Sequence, residues 1–188
     1  MELFKSIVSR IIDVPKEELQ SFVSRFTIQE IKRNGFLSHA GKQPDEVFFI
    51  ERGLVRVTIQ DTKGAEHTIH FAMEGQFIAD YASYLRKQPA NYSIQAIEDT
   101  RVVVLSRSAI DWGYENLACG EQLGRRLAEL YFSMHDDRIK MSYLHGPKDR
   151  YDQIERVYPG IFGRIPQHMI ASYLGISPVH LSRIKRSI

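Results

Sequence analysis

The sequence predicts an α+β protein: a β-roll of jelly-roll type, then one long helix, then a small C-terminal unit of short helices. Three observations point there. Short runs rich in Val, Ile, Phe and Thr, separated by turn residues, follow the first helix and end at "TRVVVLS". An apolar stripe of heptad-like spacing comes next. The chain then closes on two short helix signatures joined by a glycine turn.

Bulk properties bound the reading. The chain has 188 residues, 43% of them hydrophobic, enough for one full core and a smaller satellite. Net charge is +2, so any strongly basic face must be local. Cys119 is the single cysteine, which excludes an internal disulfide and any site needing several thiolates. A reducing, cytoplasmic setting is expected. The N-terminus "MELFKSIVSRIIDV" carries acids and lacks the apolar run of a leader. No apolar stretch is long enough to span a membrane. No phosphate-binding Walker loop, nucleophile elbow or catalytic-triad spacing occurs, so no enzyme is expected. His67 and His70 stand three apart on a predicted strand, face opposite sides and make poor co-ligands, and no metal site is predicted.

The elements follow in order. A first helix is expected from residue 1 to about 26. The strands are divided at Asn34-Gly35, Gly41, Gly53, Asp61 to Gly64 and Gly75, and "LVRVTIQ", "DTKG", "EHTIHF" reads as a hairpin. From Ile110 the period lengthens. Leu123, Leu127, Leu130, Met134 and Met141 recur at spacings of 4, 3, 4 and 7, with Asp137 as the one polar position of the seam. Such a stripe either packs on the home domain or pairs with a second copy. Gly146-Pro147 should break this helix, and another should run from about Lys148 to Val157.

The last stretch is "PQHMIASYLGISPVHLSRIKRSI". Pro166 suits the start of a helix over Gln167 to Leu174, with Met169, Ile170, Tyr173 and Leu174 inward. Gly175 supplies a left-handed stop. Ser177 is a good cap and Pro178 a good first residue for a second helix, with Leu181 and Ile184 inward. Two short helices around a tight glycine turn form a helix-turn-helix unit. From Val157 onward there is no Asp or Glu, while Arg164, Arg183, Lys185 and Arg186 are basic. A basic tail on a mildly acidic body suits a phosphate-backbone partner. Pro178, Val179, His180 and Arg183 lie on the face that enters a major groove. Arg183 is the candidate for a bidentate guanine contact and Val179 for a thymine methyl. Ser177, Gln167, Lys185 and Arg186 are placed for phosphates.

The order of parts, with "FFIERGLVRV", "GQFIADYASYL" and "IASYLGISPVHLSRIKR", resembles the Crp/Fnr family of bacterial transcription regulators over nearly the whole chain. The resemblance implies three domains. These are a cyclic-nucleotide-binding-like β-roll effector domain at 1–115, a long dimerisation helix at 116–145, and a winged-helix-type helix-turn-helix domain at 146–188. It favours the dimer reading of the stripe Leu123, Leu127, Leu130, Met134 and Met141. It implies a homodimer on double-stranded DNA, with RNA polymerase as a further candidate partner and no membrane.

In that family, "GQFIADYASYLRKQPANYS" matches the phosphate-binding cassette, which reads roughly Gly-Glu-Leu and then Arg-Ser/Thr-Ala. Here those positions read Ala79-Asp80-Tyr81 and Ala90-Asn91-Tyr92. The arginine fork that a cyclic phosphate needs is missing, and Arg86 and Lys87 upstream are expected to be exposed loop charges. Cyclic AMP is therefore not the expected effector. No cofactor is identified. An unknown small ligand would be lined by Asp80, Tyr81, Tyr84, Asn91 and Tyr92, with Leu130 and Tyr131 from the long helix; the other outcome is a pocket filled by its own side chains. The alternative function is a signalling module of cyclic-nucleotide-binding type acting through protein contacts.

Overall fold

The computed structural model describes residues 1–187. Two helices come first, α1 (Glu2–Ile11) and α2 (Lys16–Val23). A single helix to about residue 26 was expected. Pro15 interrupts it, because a proline disfavours helical backbone in the residue before it; Ile12 is already extended and Pro15 itself precedes the first turn of α2.

Eight strands follow: β1 (Thr27–Ile31), β2 (Phe36–Ser38), β3 (Glu46–Arg52), β4 (Leu54–Gln60), β5 (Glu66–Met73), β6 (Phe77–Ile78), β7 (Ser93–Ala96) and β8 (Thr100–Ser106). They form two antiparallel sheets, in the orders β1-β8-β3-β6 and β2-β7-β4-β5. The expected hairpin is β4–β5, in register from Leu54↔Met73 to Gln60↔Glu66 with one bulge. Helix α3 (Tyr81–Arg86) sits between β6 and β7. After β8 come α4 (Arg107–Asn116), the long α5 (Gly120–Leu144), α6 (Pro147–Val157), a short 3₁₀ turn, α7 (Gln167–Leu174) and α8 (Pro178–Arg186). Residues 147–187 hold no strand, so the expected winged-helix-type unit is represented here by its helices alone.

The two-residue period of the strands builds the layers. In β8, Val102 and Val104 point into the space between the sheets, while Val103 and Leu105 point outward onto α1, α2, α4 and α5. In β3, Phe48 and Ile50 face inward and Phe49 outward. Phe4 of α1 seals the outer layer, meeting Phe26 and Phe49 edge to face at 5.2 Å each. The second sheet behaves likewise. Val55, Val57 and Ala72 face the first sheet, and Leu54 and Phe71 turn away from it. Those two side chains are covered by Ile154, Tyr158, Ile161, Ile170 and Leu181 of the C-terminal helices. The C-terminal unit therefore closes the core of its own roll.

Gly53, between β3 and β4, is the tightest backbone approach in the roll. Its φ is +108°, and a Cβ there would lie 2.5 Å from Thr100 Oγ1 and 2.7 Å from Thr100 Cα. Only glycine fits both the dihedral and the space. Its N–H donates to Glu74 Oε1 at 2.7 Å, which matters for the interface below.

Candidate functional site

The stretch from Gly75 to Ser93 closes on itself through one carboxylate. Asp80 is 2% exposed. As the cap of α3 it accepts the Ser83 N–H at 3.2 Å and the Ser83 hydroxyl at 3.0 Å. It also accepts the Asn91 N–H at 2.7 Å, eleven residues on. The Asn91 amide donates to Ser83 Oγ at 3.1 Å. A buried anion at a helix N-terminus, holding a loop N–H, supplies internally what a bound anion would otherwise supply. Arg86 and Lys87 are exposed, as expected, and Lys87 ends α3 in a left-handed conformation.

The candidate ligand residues separate. Tyr84 is buried under the Arg107 guanidinium, 3.8 Å over its ring, and Arg107 is anchored by Asp45 at 2.5 Å and by the Tyr84 carbonyl at 2.7 Å. Burial pushes the Tyr84 hydroxyl up. Tyr84 and Asn91 thus serve the cassette itself. Tyr81 and Tyr92, with Tyr131 of α5, border a cleft of about 620 Å³ between the roll and the long helix. Leu130 does not line that cleft; it lines an adjoining apolar chamber and is 53% exposed.

Four lining groups of the cleft were not legible in the sequence: His70, His135, Arg138 and Tyr143. Burial, Arg138 and His135 together pull His70 down to about 3, so its ring is neutral. It shares a 3.0 Å hydrogen bond with the Tyr158 hydroxyl. Burial and Arg138 also lower His135. Arg138 lies 4.6 Å over the Tyr173 ring. The spacing of His135 and Arg138, one turn apart, was visible; the face of α5 that turns to the roll was not.

The predicted dimer stripe is placed differently. Leu123 is buried in the N-terminal core, and Leu127 packs against it. Leu123, Leu127, Leu130 and Met134 all line the chamber formed with α1, and Met141 is half-buried. Helix α1 takes this side of α5 at Leu123 and Leu127, so the start of the stripe is covered within the chain, while Leu130 stays exposed. Besides Leu130, the exposed apolar residues of α5 include Phe132, Ile139 and Tyr143, which is 87% exposed, and these three also border the cleft. They too recur at spacings of seven and four.

At the C-terminus, Gly175 has φ +66° and stops α7. Ser177 caps α8 by accepting the His180 N–H at 3.2 Å. Leu181 and Ile184 are buried. Pro178, Val179, His180, Arg183, Lys185, Arg186, Ser177 and Gln167 are all exposed, so the candidate face of α8 is open although the unit is docked. Arg164 belongs elsewhere. Its guanidinium grips Glu74 at 2.8 and 3.0 Å and Glu98 at 2.6 and 3.3 Å, tying the C-terminal unit to the roll. Burial alone would raise the Glu74 carboxyl, yet the bonds from Arg164 and from Gly53 N–H hold it below the usual range. The Ser172 hydroxyl accepts the Thr68 N–H of β5 at 2.8 Å, a second tie. Three basic side chains, not four, therefore face outward in the acid-free tail.

Replacing Asp80 strands two backbone N–H groups and a hydroxyl in a buried loop. Asp80→Ala is expected to lower stability by about 2–4 kcal/mol, read as a lower urea midpoint, with Leu123 and the remote core unaffected in hydrogen exchange.

Residues 28–116 match the family model described as the cyclic nucleotide-binding domain. No curated protein matches the sequence. Among solved structures, the catabolite activator protein of Thermus thermophilus is 19% identical, with 96% of this chain and 85% of that one covered at a TM-score of 0.60. A transcriptional regulator of the Crp/Fnr family from Eubacterium rectale is 17% identical, covering 93% and 83%, at 0.72. FixK2 of Bradyrhizobium japonicum is 18% identical, covering 86% and 83%, at 0.68. Residues 28–116 thus resemble the cyclic nucleotide-binding domain, and the chain shares its fold with a catabolite activator protein, a Crp/Fnr-family transcriptional regulator and FixK2.

Proposed function

We propose that this protein is a dimeric, sequence-specific DNA-binding transcription regulator of the Crp/Fnr type that does not respond to cyclic AMP. The observation that carries it is the helix-turn-helix of α7 and α8. Its outer face is exposed and basic, no acid lies within it, and its inner face is anchored on the roll. In this reading the N-terminal part of α8 enters the major groove. Arg183 reads guanine and Val179 a thymine methyl, while Gln167, Ser177, Lys185 and Arg186 orient the unit on phosphates.

Retention of the chain on heparin or random DNA should fall steeply with salt. Without that dependence the DNA reading fails, and the protein-contact signalling module takes its place. Arg183→Ala should weaken a preferred site by about 1–3 kcal/mol while leaving random DNA binding less affected. Equal losses on both would reject base reading by Arg183.

The dimer rests on Phe132, Ile139 and Tyr143, an exposed apolar line on α5 whose burial against a copy removes it from water. Sedimentation should give a dimer for the natural sequence and a monomer for Phe132→Glu.

In this reading cyclic AMP is not the effector, and the bond from the Asn91 N–H to Asp80 supports it, because it occupies a backbone donor that a phosphate would need. Calorimetric titration should show no heat of binding for cyclic AMP, and micromolar affinity would overturn this. The cleft between the roll and α5 is the place for another small effector, with Arg138 as its cation.

A further inference from the structure

We propose that the chamber between α1 and α5 is a second ligand site, separate from the cleft, and that it takes a small neutral apolar molecule. The chamber holds about 270 Å³. Protein interiors seldom leave voids larger than a water molecule, and an apolar cavity of roughly 150 Å³ already takes up benzene. Ile7 and Ile11 of α1 face Leu123, Leu127, Leu130 and Met134 of α5 across it.

The lining is mainly apolar, and two polar groups beside it are already used. The Tyr131 hydroxyl donates to the Phe77 carbonyl at 3.1 Å. The Arg126 guanidinium donates to the Ile11 carbonyl at the end of α1. Burial pushes the Tyr131 hydroxyl up to about 12, so it stays neutral. A charged occupant would lose its hydration and meet no opposite charge in the lining. The chemistry selects a neutral molecule of one to three rings or a comparable aliphatic chain.

Helix α5 cannot move closer to α4. A Cβ on Gly120 would lie 2.1 Å from the Gly113 carbonyl oxygen, and one on Gly124 would lie 2.5 Å from the Tyr114 ring. Helices α4 and α5 are thus already in close contact, through residues that line the chamber. The chamber and the cleft also share a wall: His70, Ile78, Ala79, Tyr81, Ala128 and Tyr131 line both. An occupant of the chamber therefore sets the position of α5 and of Tyr81 beside the cleft, which makes it a second input to the long helix.

The test is a fluorescence titration of the full chain with N-phenylnaphthylamine, a neutral fluorophore that brightens in apolar surroundings. One saturable site per chain is expected, together with a thermal midpoint that rises with the probe. Leu127→Trp and Ile7→Trp fill the chamber from opposite walls, and each should weaken binding by about tenfold or more. Ser142→Trp, which narrows the cleft only, should leave binding unchanged. If a tryptophan variant loses its circular dichroism signature, Leu127→Phe takes its place with the same expectation. Binding that does not saturate, binding that persists in the filled variants, or binding lost only with Ser142→Trp overturns the proposal. None of these readouts involves DNA, so a failure on heparin and a failure here are separate results.

Discussion

Both faces of the β8–β3 pair are buried, and the rest of the molecule is arranged around that constraint. A strand exposes alternate side chains to opposite sides. In β8, Val102 and Val104 go one way and Val103 and Leu105 the other, and all four are buried. One side demands a second sheet, the other a layer of helices. The helices α1, α2, α4 and the start of α5 meet the second demand. The outer face of the second sheet makes a third demand through Leu54 and Phe71, which the C-terminal helices meet. A chain of this size can stack so many layers because each strand pair serves two cores.

That third contact changes what the C-terminal unit is. A reading head on a free hinge would leave Leu54, Phe71 and Ile97 in water. Here the unit is held by a shared apolar core and by one arginine between two carboxylates. The Arg164 clasp does not act alone, since a partly exposed ion pair contributes little by itself. Its value is directional: it sets the orientation of α7 on β5, and the face of α8 is left open as a consequence.

Asp80 answers a chemical question at the cassette. A loop that gathers N–H groups at a helix start needs an anion. The buried Asp80 closes this loop with three bonds of its own. The stretch is therefore a built structure rather than an emptied one. The nearby cleft differs in character, with cationic and aromatic side chains from α5 on one side and tyrosines on the other.

Local grammar was legible from the residues alone. The hairpin at Asp61 to Gly64, the break at Gly146-Pro147, the left-handed Gly175 and the Ser177 cap all depend on a residue's own dihedral or hydrogen-bonding limits, and each stands where the sequence put it. What the sequence could not decide was which surface each apolar or charged face meets. Leu123 to Met134 carry a heptad spacing that is the same whether the partner is a second copy or helix α1. Arg164 reads as one more basic tail residue until Glu74 and Glu98, far away in the chain, are brought to it. His135 and Arg138 become cleft residues only once α5 has a rotation against the roll. Spacing determines which side chains share a face; only the packing of distant elements determines what that face touches.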